Sequence, residues 1–164
     1  MELRGNHKLI LSSILISSAF ILNIIDRSLF SFTPMIRVGL ANIPVIISIE
    51  ILGFKNSFII VIFKIMLNSM LYAGINLVIA GLAASGGFLS FFTMWILRKK
   101  MNFSIIPVSM WGGMSSTFAQ VTFLTFVLNT EFFSLFKSLI IFGIINGILT
   151  GIASFFVLKQ LHKL

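Results

Sequence analysis

The chain contains no cysteine. That absence removes disulfides, thiolate metal sites and a cysteine nucleophile together. Acid is nearly as scarce, since Asp26 is the only aspartate and Glu2, Glu50 and Glu131 are the only glutamates. Paired carboxylates for acid–base work are hard to assemble from so few, as is an aspartate-rich site for Mg²⁺ and a diphosphate. His7 and His162 lie near opposite ends of the chain and suggest no metal centre. No GxxxxGK[ST] phosphate loop occurs, so the chain does not hydrolyse ATP by that device. Nothing here supports catalysis or calls for a cofactor. Active transport by such a chain draws its energy from a partner or an ion gradient.

What the chain has instead is apolar length. Its 164 residues are 58% hydrophobic and 10% charged, with a mean hydropathy of +1.11. A soluble domain of this size leaves too much surface wet to hide that composition, so the lipid bilayer is the expected solvent. Apolar runs recur to the C-terminus, which a cleaved signal peptide does not explain. The sequence therefore predicts an all-α integral membrane protein. It reads as one transmembrane domain over residues 1–164, a compact bundle of six helices.

The expected spans are about Leu9–Ile25, Val38–Gly53, Ser57–Ala73, Leu77–Leu97, Ile105–Leu128 and Phe133–Leu158. Each approaches the ~20 residues that cross ~30 Å of hydrocarbon. The second is short and holds Pro44, so a kink or an incomplete span is expected there. Loops are too brief for a soluble domain.

The net charge of +8 is read as topogenic, with no nucleic-acid partner. Lysine and arginine collect on the cytoplasmic flanks of membrane helices. An inside N-terminus puts Arg4, Lys8, Lys55, Arg98, Lys99, Lys100, Lys159 and Lys163 inside, and leaves Arg27, Arg37 and Lys137 outside. Both termini are then cytoplasmic.

Small residues recur at helix-packing spacing. Gly143, Gly147 and Gly151 form GxxxGxxxG in the last span, and Ala80/Ala84 and Ala83/Gly87 repeat the pattern in the fourth. Such stripes let backbones approach closely. Ser13 and Ser17 make a shorter stripe on the first helix, read as a docking edge for a partner protein.

Polar residues inside apolar spans carry the functional signal. Lys64 lies mid-span, where a cation costs a few kcal/mol. Asn68 and Tyr72 follow at i+4 and i+8 on the same helix face. Counting from a turn near Phe54, Lys64 stands about 15 Å up its helix. Asn42 on the facing segment lies ~3 Å above that level and Glu50 about 9 Å below the level of Pro44. A Lys64–Glu50 pair needs the lysine to reach downward, whereas a Lys64–Asn42 grouping needs no reach. Thr117 and Gln120 share a face of the fifth span, and Asn146 sits between the glycines of the sixth.

Several ordered motifs carry a resemblance. These are I-R-V-G-L-A-N-I, L-G-F-K-N-S, I-F-K-I-M-L-N-S-M-L, A-A-S-G-G-F-L-S-F-F-T-M, V-S-M-W-G-G-M-S-S-T-F-A-Q and F-G-I-I-N-G-I-L-T-G. Together, over about Arg37 to Leu158, they resemble the Gx transporter family, also labelled heptaprenyl diphosphate synthase component I. The resemblance implies a fold similar to the S components of energy-coupling-factor transporters, in a bacterial cell membrane. Those proteins bind a small solute from outside, and a membrane coupling subunit and ATPases drive its uptake. Carried over by position, Arg37, Gly39 and Asn42 match the first family motif, Lys64 the membrane cation and Gln120 the fifth-helix glutamine. Where the family tends to have His-Asn this chain has Ser116-Thr117, which points to a substrate not shared across the family.

The expected substrate-binding set is therefore Arg37, Asn42, Lys64, Asn68 and Gln120. The substrate is a vitamin, a cofactor precursor or an isoprenoid- or quinone-related compound. The competing reading is a non-catalytic membrane subunit of an isoprenoid–quinone or flavin-linked electron-transfer assembly. A carrier coupled to protons through Glu50 is a third.

Overall fold

The computed structural model describes residues 5–29, 39–72, 77–129 and 131–161. Among them it is helical without strands. The elements are α1 (Gly5–Leu29), a 3-10 turn (Leu40–Asn42), α2 (Ile43–Ile51), α3 (Gly53–Tyr72), α4 (Leu77–Lys99), α5 (Ile105–Leu128) and α6 (Phe132–Leu161).

Among the described residues, three stretches are long and apolar enough to cross a membrane: Asn6–Asp26, Leu77–Lys99 and Leu139–Leu161. The outer surface suits that setting. Leu9, Met70, Leu77 and Phe126 are among many large apolar side chains left exposed. Many hydroxyls inside the helices bond to their own preceding turn, as Ser57 does to the Gly53 carbonyl and Ser154 to that of Thr150.

The second element departs from its expected bounds by being shorter. It spans nine residues, not the stretch from Val38 to Gly53. Gly39 precedes the 3-10 turn with φ +77° and Gly53 opens α3 with φ +76°, a backbone region that costs a side chain about 1–2 kcal/mol. A Cβ at Gly53 would touch nothing within 4 Å, so that position needs glycine for its dihedral alone. Pro44 sits in the first turn of α2, where its missing N–H costs nothing and its ring breaks no hydrogen bond. The expected kink is therefore a start. Because one glycine suffices to turn the chain, α3 begins at Gly53, four residues before the predicted Ser57.

Short as it is, α2 is the most enclosed helix. Every residue from Pro44 to Ile49 is buried, because α1, α3, α4 and α6 all pack around it. Val45, Ile49, Ile60, Phe91 and Leu158 make the centre of the core. A ring cluster seals α3 to α4, with Phe54 edge-on to Trp95 at 4.9 Å between centroids and stacked on Phe58 at 5.9 Å.

The closest helix approach is α5 against α6. A Cβ on Gly147 would lie 2.7 Å from the Met110 Cα, and one on Gly151 2.9 Å from that of Ile106. Gly113 faces the Gly143 carbonyl in the same way. The glycine stripe thus meets backbone, which leaves no room for larger residues.

One end of the molecule is tied by charge. Arg98, near the end of α4, holds Glu50 of α2 through both carboxylate oxygens, with Nε at 2.8 Å and Nη2 at 2.7 Å. Its Nη1 donates to the Phe103 carbonyl at 2.8 Å, fixing the connection into α5. Lys99 lies 3.6 Å from the same carboxylate.

Candidate functional site

Between α1, the 3-10 turn, α3, α4, α5 and α6 lies a cavity of about 120 Å³. Its wall is built from the residues that an apolar helix accommodates least easily. Asn23 and Asp26 come from α1, Lys64 and Asn68 from α3, Ser116, Thr117 and Gln120 from α5, and Asn146 and Thr150 from α6.

Lys64 donates to Asn42 Oδ1 at 2.5 Å. Of the two groupings open on the sequence, the geometry takes this one, and Glu50 is held by Arg98 at the other end of α2. The reason is depth: Asn42 precedes Pro44 at the start of α2, level with the lysine, while Glu50 lies near the last residue. Asn42 is in position because Gly39 takes the left-handed turn and its carbonyl receives the Asn42 N–H at 2.8 Å.

Asn68 stands one turn beyond Lys64 and is 4% exposed, and its Oδ1 has no protein partner among the described residues. Gln120 reaches in from α5 and donates to Ser116 Oγ at 2.9 Å. Gly86 makes room for that pair, since a Cβ there would fall 2.5 Å from Gln120 Nε2. Four of the five residues expected to bind substrate, Asn42, Lys64, Asn68 and Gln120, thus share one cavity. The fifth, Arg37, lies outside the described residues.

Ser13 and Ser17 lie elsewhere, exposed on the outward side of α1. Ser13 donates to the Leu9 carbonyl of its own helix at 3.0 Å. Gly143 and Gly147, read for packing, also line the cavity.

Sequence reasoning missed Asp26 and Asn23. Asp26 is 2% exposed and accepts a hydrogen bond from the Gly39 N–H at 2.8 Å, clamping the end of α1 to the turn before α2. Asn23 is 6% exposed on the same face. A signal was present: Leu15, Ala19, Asn23 and Asp26 follow helical spacing, and all four are buried. Ending the first span at Ile25 hid it, by placing the aspartate in a loop.

Among apolar residues such as Ile65, Leu124 and Phe142, the wall offers amides, hydroxyls, an ammonium and a carboxylate. That set can hold and orient a polar solute by hydrogen bonds. No group of three or more His, Cys, Asp or Glu able to hold a metal occurs among the described residues.

No curated protein and no solved structure gives a match to the chain. A family match does exist, and it runs over residues 15–157, taking in every described wall residue of the cavity named above. By that match the chain belongs to the family described as heptaprenyl diphosphate synthase component I.

Proposed function

We propose that this chain is the solute-binding membrane subunit of an uptake system, without catalysis of its own, energised by partner subunits. The observation that carries the reading is Lys64 hydrogen-bonded to Asn42 on the wall of a polar cavity inside an apolar helix assembly. Keeping a cation at mid-helix is costly, and such residues mark solute or ion pathways far more often than lipid-facing surface. The cavity supplies what that cation would serve.

In this reading the chain crosses the cytoplasmic membrane six times, α2 forming only part of the second crossing, with both termini inside. Lys8, Lys55, Lys99, Lys100 and Lys159 are exposed. Glu50, Arg98, Ile105 and Lys159 gather about a second hollow, which sets the ends of α2, α4 and α6 beside the start of α5. That cation-rich end is the cytoplasmic one by the positive-inside rule. The cavity then opens toward the outside, where Arg37 adds a forked donor for an anionic or carbonyl group.

The test is mass spectrometry of small molecules retained by the gently purified chain. Wild type carries a solute, and Arg37→Ala and Lys64→Ala each lose it while keeping the wild-type melting temperature. Undiminished retention in both variants refutes the site.

The family description favours a second reading, in which the chain is the non-catalytic component of a heptaprenyl diphosphate synthase system. Co-purification separates the two. An ATPase-containing complex supports uptake, and a prenyl-lipid enzyme supports the second reading. Glu50 as a proton carrier draws no support from its two-pronged bond to Arg98.

A further inference from the structure

We infer that the cavity takes a compact polar solute, of single-ring size or smaller, that carries a hydrogen-bond donor close to an acceptor, and that it excludes an isoprenoid chain. The inference rests on the solute-binding reading above.

Size comes first. The cavity holds about 120 Å³, against about 150 Å³ for an apolar protein cavity that admits one benzene. A seven-unit isoprenoid is several times larger. Lining comes second. An apolar tail needs an apolar trough, and this wall sets amides and hydroxyls from four helices among its apolar residues. Phe142 is the one aromatic among the described lining residues, so no pair of rings is present to sandwich a larger planar ligand.

Asn68 gives the solute its polarity pattern. Thr117 and Thr150 line the same cavity, and each donates its hydroxyl proton to a carbonyl one turn back. An amide oxygen cannot do this, because helix carbonyls are acceptors too. Asn68 lines the cavity, and its buried Oδ1 has no protein donor among the described residues. Leaving such an oxygen dry and unpaired is costly. A bound N–H or O–H is its natural complement. One turn earlier, on the same face, Lys64 presents a charged donor. Neighbours at i and i+4 stand about 5–6 Å apart, a separation bridged by a small amide, lactam, hydroxy acid or amino-carbonyl compound.

The cysteine-free chain allows a direct test. Ala83→Cys on α4 and Leu139→Cys on α6 place single thiols on facing parts of the lining without touching its polar groups. The full chain in lipid nanodiscs is labelled with 2-aminoethyl methanethiosulfonate. Labelling is repeated with the water-soluble metabolite extract of the cells, with farnesyl diphosphate, or with a total lipid extract. Ser13→Cys, on the outward face of α1, serves as control.

The aqueous extract is expected to slow labelling of both lining thiols about tenfold, as free sites fall to roughly a tenth. The other additions leave it unchanged, and adding Asn68→Leu abolishes the protection. Protection by farnesyl diphosphate or by lipid overturns the size and polarity assignment while sparing the solute-binding reading. Protection by none of the three overturns both. Protection that survives Asn68→Leu overturns the role of the unpaired amide.

Discussion

Two regions of this molecule set a cation against oxygen, and they do it in opposite ways. At one end Arg98 meets the Glu50 carboxylate in a two-pronged ion pair, reinforced by Lys99. Deeper in, Lys64 meets the neutral amide oxygen of Asn42. The first arrangement uses both forks of the guanidinium, adds the Phe103 carbonyl, and leaves little for any further partner. The second sets a flexible ammonium against an amide acceptor, beside a cavity. Charge spent on charge makes a fastening. At Asn42 the cation instead borders a polar hollow. The difference teaches that a cation's setting matters as much as its position: one charge closes an ion pair at an end of the molecule, and the other lines a cavity.

The sharpest way to break this comparison is to truncate both cations' sites and ask which property fails. Lys64→Ala is expected to weaken solute retention about 10- to 100-fold, the worth of a hydrogen bond to a charged group. Its melting temperature stays near wild type. Equal loss of stability and retention would make Lys64 a fastening like Arg98.

Glu50→Ala should do the reverse. It removes a partly exposed, two-pronged pair and is expected to cost ~1–2 kcal/mol of stability, between the surface and buried cases. Solute retention is unchanged, and added salt narrows the gap in melting temperature between variant and wild type.

The two left-handed glycines sharpen the contrast further. Gly53→Ala strains the backbone with nothing nearby to clash, so about 1 kcal/mol of stability is lost without effect on retention. Gly39→Ala carries the same dihedral cost but shifts Asn42, and it lowers retention as well. Identical retention in both variants would detach the turn from the site. The smallest effect belongs to Ser13→Ala on the outer face of α1, within about 0.5 kcal/mol of wild-type stability. If α1 is a docking edge, Ser13→Leu with Ser17→Leu reduces co-purification of a membrane partner and spares retention.

Much of the fold was legible because the signals involved are local. Apolar length announces helices such as Leu77–Lys99, and glycine at four-residue spacing announces the close approach made at Gly147 and Gly151. The Lys64–Asn42 contact was legible too, since a constant helical rise converts residue number into depth on either side of one turn. That ruler fails where a helix ends unseen. Asp26 and Asn23 escaped because α1 continues to Leu29, and a helix extending past its apolar run leaves little compositional trace. The partner of Glu50 escaped for another reason. Arg98 stands 48 residues away on a helix whose rotation only tertiary packing sets.

The nine residues of α2 have one more consequence, which concerns direction. Aligned peptide groups give a helix a positive pole at its start and a negative pole at its end, each worth about half an elementary charge. Asp26 reaches the backbone just ahead of the start through the Gly39 N–H. At the end stand Arg98 and Lys99, the latter 3.5 Å from the Glu50 carbonyl oxygen. Acid meets the positive pole and bases meet the negative one. The rod therefore points one way only, because inversion would set like against like at both ends.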